Sequence, residues 1–143
     1  MSSSNPCEVK GSGILYFAYG SMSNPVSRSK RKLRTVWECA AFLPGYRLVF
    51  PRGIGNVVPT YSSDEPEVHG VVMEFERESD WDTVCGFEAG YDVHEAPVVP
   101  YQKMDNGECK RMPSIKARFF QQPAALGRPL EGDLPPPERY LRI

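Results

Sequence analysis

The run Gly13-Ile14-Leu15-Tyr16-Phe17-Ala18-Tyr19 is apolar on both alternating faces and stops at Gly20. It is too short and too evenly apolar for an amphipathic helix. It reads as a buried central strand, one with both faces covered. Asn24-Pro25 follows, an N-cap residue ahead of a proline at the first helical position, and predicts a short helix to about Leu33.

The rest of the chain alternates in the same way. Phe42-Leu43-Pro44-Gly45 reads as a turn and Tyr46 to Phe50 as a strand, broken over Pro51 to Gly55. Asn56 to Tyr61 contains Pro59 and so predicts an edge or bulged strand. A polar loop, Ser62 to Glu67, leads to a strand over Val68 to Phe75 and a helix over Ser79 to Glu88. A strand from about Tyr91 to Tyr101, with Pro97 inside it, meets the hairpin signal Asp105-Asn106-Gly107 and a partner strand over Ser114 to Phe120. Gln121 to Pro137 reads as a loop, and Glu138 to Ile143 as the start of a final helix. This order predicts an α+β fold with a curved or barrel-like mixed sheet.

With 143 residues, 41% of them apolar, the chain suits one hydrophobic core. The expected organisation is a flexible tail over residues 1–12 and a single domain over 13–143. A formal net charge of −1 supplies no general field for nucleic acid or an acidic membrane surface. No apolar run approaches the roughly 20 residues of a membrane span. Met1 to Pro6 has neither a basic nor an apolar leader region, which predicts a cytoplasmic protein. Cys7, Cys39, Cys85 and Cys109 form no C-x-x-C pair, so they read as separate thiols that mostly pack as small hydrophobes.

Two stretches carry chemistry. In the helix Ser79 to Glu88, Trp81, Val84, Cys85 and Glu88 fall at i, i+3, i+4 and i+7 and share one face, with Asp80 and Asp82 off it. Ser79 and Asp82 have capping-box spacing, and Gly90 suits a C-terminal cap. A carboxylate on an apolar stripe either turns outward to water or an arginine, or stays inside with a raised pKa. In the second case Glu88 is a general acid/base. The other stretch, Tyr19-Gly20-Ser21-Met22-Ser23-Asn24-Pro25, joins the buried strand to a helix start. Free backbone amides there suit an anion, and Gly20 permits close approach.

Together these segments resemble γ-glutamylcyclotransferases and their relatives. Tyr16-Phe17-Ala18-Tyr19-Gly20-Ser21 is similar to the signature near the family's start. Leu43 to Leu48 resembles its second strand, Glu67 to Phe75 the strand before the catalytic helix, and Phe87 to Tyr91 the turn holding the catalytic glutamate. Pro136-Pro137-Glu138-Arg139-Tyr140-Leu141 resembles the late segment that supplies a substrate-binding tyrosine. Many relatives have asparagine after Y-G-S, where this chain has Met22.

The resemblance implies a small mixed β-barrel flanked by helices. It implies an enzyme that cyclises the γ-glutamyl group of a γ-glutamyl amino acid or amine to 5-oxoproline and frees the amine. Glu88 would be the acid/base. Tyr16, Phe17, Ala18, Tyr19, Gly20 and Ser21 would bind the glutamyl part, and Tyr140 would close the pocket. Ring closure is intramolecular, so folding the substrate is the main task, and neither metal nor cofactor is needed. The partner would be the small γ-glutamyl substrate, without nucleic acid or membrane, and a homodimer is admitted. The alternative is a family member impaired in catalysis that binds a γ-glutamyl ligand or a protein.

Two rival classes have thinner support. A serine hydrolase would need Ser21 with His69 or His94 as base, and G-x-S-x-G is absent. Both histidines read as strand residues, His69 the better placed to line a pocket. The cluster Arg28, Lys30, Arg31, Lys32, Arg34 suits phosphates, yet reads first as a solvated helix face.

Overall fold

A computed structural model describes residues 11–50, 55–60 and 67–122. Most of the expected tail, nearly all of the 121–137 loop, the final helix and Tyr140 lie outside the described residues. In chain order the described elements are β1 (Leu15–Ala18), α1 (Pro25–Lys30), β2 (Thr35–Pro44), β3 (Tyr46–Val49), β4 (Asn56–Pro59), β5 (Glu67–Phe75), α2 (Glu78–Phe87), β6 (Asp92–Lys103), β7 (Cys109–Arg111) and β8 (Ile115–Gln121).

Five strands close on themselves in the order β2-β5-β1-β8-β6, with β6 returning to β2 through Ala41↔Pro100 and Phe42↔Val99. Tyr16↔Arg118 is a parallel pairing between β1 and β8, and the other joints are antiparallel. The barrel is therefore mixed, as expected. Strand β7 hangs on the end of β6, and β3 and β4 form a separate hairpin.

Alternation along each strand divides the core in two. Phe17, Ala41, Leu43, Val68, Val72, Ala96, Val98, Ala117 and Phe119 fill the barrel, joined by Val57 from the hairpin. Small and large side chains mix so that two phenylalanine rings fit a narrow interior. Their neighbours Tyr16, Ala18, Met73, Phe75 and Phe120 point the other way and pack with Met22, Leu33 and Val84. Trp81, Cys85 and Tyr91 cover this second cluster. Burying both faces of β1 is what its unbroken apolar run requires.

Gly70 is a packing requirement. A Cβ there would lie 2.3 Å from the Ala18 carbonyl oxygen and 2.8 Å from Phe17 Cζ. Gly45, at φ +82°, makes the sharp turn between β2 and β3.

Two expectations need correction. The sequence reading left 34–41 without an element, but the ten-residue β2 runs through it and takes in Phe42 and Leu43. A bulge between Thr35 and Trp37 and exposed Trp37, Glu38 and Ala40 blur its alternation, and long-range pairing with β5 supplies the strand. Helix α1 stops at Lys30, short of Leu33, because Lys32 turns left-handed at φ 58° and Leu33 N donates to the Arg28 carbonyl. Of the described cysteines, Cys39 and Cys85 are half-buried but Cys109 is exposed.

Candidate active site

The site lies where the loop after β1, helix α1 and the end of α2 meet over the outer cluster. Asn24 caps α1 as expected, its Oδ1 accepting from Val26 N at 2.8 Å with Pro25 at the first position. Ser23 donates twice to the Gly20 carbonyl, from N at 3.0 Å and from Oγ at 2.6 Å, and so closes the loop on itself. Met22 is buried beneath this turn.

Helix α2 begins earlier than predicted. Its N-cap is Arg77, and Asp80, not Asp82, completes the capping arrangement, accepting from Arg77 N at 3.1 Å and Arg77 Nη2 at 3.2 Å. Asp80 is buried instead of lying off the apolar face, because it stands four residues before Val84 on the flank of that stripe. The rest of the stripe is as predicted: Val84 is buried, and Trp81, Cys85 and Glu88 are half-buried.

Glu88 is the C-cap. Its N donates to the Val84 carbonyl at 2.9 Å, its own carbonyl accepts from Tyr91 N at 3.1 Å, and Gly90 follows at φ +96°. Burial pushes the Glu88 carboxyl above its ordinary pKa, and the Arg31 guanidinium opposes that rise. Among the described residues Glu88 has no direct ion pair.

Tyr16 is within the electrostatic reach of this carboxyl. Its ring stacks on Phe75 at 5.8 Å and meets the edges of Trp81 at 6.0 Å and Phe120 at 5.7 Å. Burial drives its hydroxyl pKa well above the normal value. Glu88 and Tyr19 add to the rise, while Arg31 and Arg28 pull against it. The phenol thus stays neutral in the common field of four polar groups, from the loop after β1, from α1 and its C-cap, and from the C-cap of α2.

The residues of the Y-F-A-Y-G-S string do not all point to this place. Tyr16 and Ala18 face the helix layer, whereas Phe17 is sealed inside the barrel. Tyr19 packs against the barrel core and donates its hydroxyl to the Phe120 carbonyl at 2.5 Å. Gly20 and Ser21 form the loop itself.

The basic cluster departs from a simple solvated face. Lys30, Lys32 and Arg34 are exposed. Arg28, however, is buried, donating to the Met22 carbonyl at 2.7 Å and pairing with Glu38. Arg31 is half-buried between Met22 Sδ, 3.1 Å from Nη1, and the Phe87 ring, 4.8 Å from Cζ. Sequence reasoning marks Met22 only as a departure from the family's asparagine and reads Arg31 as part of a solvated helix face; the structure brings the two together beside Phe87. The three-residue spacing of Arg28 and Arg31 was the available signal, since it puts both on one face.

His69 lies on the barrel's outer surface, exposed, 3.0 Å from Glu67 and stacked on Tyr101. His94 is exposed on β6. Among the described residues no three His, Cys, Asp or Glu side chains converge to hold a metal, and no helix is long and apolar enough to cross a membrane.

Solved structures of similar shape agree with the barrel. A protein from Arabidopsis thaliana, solved in solution, superposes with a TM-score of 0.61 at 21% identity over 85% of this chain and 76% of its own. A structure described as a gamma-glutamyl cyclotransferase gives 0.54 at 24% identity over 77% of this chain and 66% of its own. The chain has the γ-glutamyl cyclotransferase fold. A yeast cyclotransferase described as specific to glutathione shares that fold with a TM-score of 0.51 at 13% identity, over 76% of this chain and 68% of its own. No protein-family model and no curated protein matches the chain. On the γ-glutamyl cyclotransferase fold of this chain, then, a half-buried carboxyl, a buried phenol and a guanidinium stand together beside the loop after β1.

Proposed function

We propose that this protein is a γ-glutamylcyclotransferase-type enzyme that converts a γ-glutamyl amino acid or amine to 5-oxoproline and the free amine. The observation that carries the reading is the Glu88 carboxyl, half-buried and raised in pKa, whose charge acts on Tyr16 and whose neighbour Phe87 is joined through Arg31 to Met22 of the loop after β1. A carboxyl of that kind serves as both base and acid near neutral pH.

In this reading the Glu88 carboxylate takes a proton from the substrate's α-ammonium group. The freed amine attacks the γ-carbonyl carbon of the same molecule and a five-membered ring forms. The bond from that carbon to the leaving nitrogen then breaks, and Glu88 returns the proton to the leaving amine. No net oxidation occurs and the protons balance. The enzyme's share is to fold the substrate into a reactive geometry. Tyr16 bounds the glutamyl half as a neutral phenol, the Gly20–Ser21 backbone lies beside its charged end, and Tyr140 is assigned the closing role by resemblance. The alternative, a ligand-binding protein impaired in catalysis, draws on Met22, whose side chain is buried and offers no amide.

The test is 5-oxoproline release by wild type and Glu88→Gln from γ-glutamyl-alanine, ε-(γ-glutamyl)-lysine and glutathione. Glutathione is included because the similar yeast structure is described as specific to it. Release by wild type, reduced about 10²–10⁴-fold in the variant, is the expected result. Equal turnover by both proteins would remove Glu88 from the mechanism, and no turnover by folded wild type would leave the binding-only reading.

A further inference from the structure

Arg28 lies in α1 and Arg31, three residues on, is its C-cap, but their surroundings differ. Arg28 is buried and its charge is matched by Glu38. Arg31 has no acidic side chain in direct contact among the described residues. Its neighbours are a thioether and the face of an aromatic ring. Sulfur is a weak acceptor, and a ring face takes none of the in-plane N–H groups. A guanidinium has five such donors in a planar fork that matches a carboxylate.

Its position is also defined. Met22 belongs to the loop after Gly20 and Ser21, and Phe87 directly precedes Glu88, so Arg31 spans the two halves of the candidate site. Phe87 is exposed and Arg31 itself is only half-buried, so part of the guanidinium is open to a ligand arriving from solvent. The carbon of an amino acid that bears the ammonium group also bears the carboxylate. A site that receives the ammonium at a carboxyl group must therefore receive an anion immediately beside it.

We propose that Arg31 is a substrate-binding residue that takes the carboxylate on the glutamyl α-carbon, through the donors left open by Met22 and Phe87. This rests on the γ-glutamyl reading and deepens it. The ammonium goes to Glu88 and the carboxylate to Arg31. Recognition by two opposite charges selects a zwitterionic γ-glutamyl end and sets the α-nitrogen against the base. A leaving amine without a carboxylate loses nothing by it.

The test combines turnover and binding in wild type, Arg31→Gln and Arg31→Lys, each first shown by thermal melting to be folded. Kinetics on the pH plateau use γ-glutamyl-alanine and γ-glutamyl-p-nitroanilide, whose leaving group has no carboxylate. Calorimetry uses γ-glutamyl-alanine, 5-oxo-L-proline and 2-pyrrolidinone, the ring without its carboxylate. The expected result is a KM raised about 10–100-fold for both substrates in Arg31→Gln, with partial retention in Arg31→Lys. Binding of 5-oxo-L-proline should weaken in parallel, while 2-pyrrolidinone is indifferent to the substitution. A KM that rises for γ-glutamyl-alanine alone would place Arg31 on the leaving side and overturn the proposal, as would unchanged KM values. If wild type turns over nothing, the reaction is wrong and γ-glutamyl-alanine binding decides: dependence on Arg31 upholds the inference, and its lack overturns it.

Discussion

Arg31 rests on the ring of Phe87, with Cζ 4.8 Å from the centroid, and its charge opposes protonation of Glu88, the next residue along the chain. The two groups are the C-caps of different helices and are 57 positions apart in sequence (88 minus 31). Burial raises the Glu88 pKa and Arg31 lowers it, with burial the larger effect.

That balance predicts a shift in titration. Replacing Arg31 with glutamine removes the opposing cation, so the Glu88 pKa should rise further. The acid limb of the kcat/KM profile should move to higher pH. A limb that moves to lower pH, or stays in place, would show that the two groups do not share a field. The side-chain carboxyl carbon of Glu88, followed by NMR, reads the same quantity without turnover.

A second consequence concerns stability. Glu88 has a folded-state pKa above its unfolded value, so the native state holds its proton more tightly. Stability should therefore be undiminished below the unfolded pKa and fall as pH rises through the folded one. Glu88→Gln removes this loss, so the variant should unfold at higher denaturant than wild type at neutral pH and converge with it in acid. Urea titrations across that range check the sign.

Neighbouring residues of β1 should respond in opposite ways. Phe17→Ala empties a fully buried barrel position and should cost about 3–5 kcal/mol. Tyr16→Phe keeps the ring packed on Phe75, Trp81 and Phe120. It should change stability by less than about 1.5 kcal/mol while reducing turnover. Chemical denaturation and activity, measured on both variants, separate core from site.

Gly70→Ala should be among the most damaging small substitutions. The added methyl would meet backbone, the Ala18 carbonyl oxygen at 2.3 Å, as well as the Phe17 ring. A loss of about 3 kcal/mol is expected, the upper end for overpacking. It should also reduce activity, because Ala18 leads directly into the Gly20 loop.

Lys32→Gly should stabilise the protein by about 0.5–1 kcal/mol, since a side chain at φ 58° is strained and glycine is not. A rise in melting temperature, with KM unchanged, is the expected measurement.

The sequence by itself determined the elements whose signal is local. The unbroken apolar run of β1, the Asn24-Pro25 cap, the strand before α2 and the stripe Trp81-Val84-Cys85-Glu88 all depend on spacings of a few residues, and the structure has each of them. The strand β2 was not legible, because a bulge and three exposed residues obscure its alternation and its pairing partner β5 lies some thirty residues further on. The phase of α2 at its start was misread for a related reason: Arg77 caps only once Asp80 is turned inward by the packing of Val84. Only the tertiary structure separated Phe17 from Tyr16 as core and site, and only it turned one arginine of a basic cluster into a buried partner of Glu38 and another into the neighbour of Glu88. Those outcomes depend on which surfaces are brought together and stripped of water, and burial changes the energy of a charge far more than any change of local sequence does.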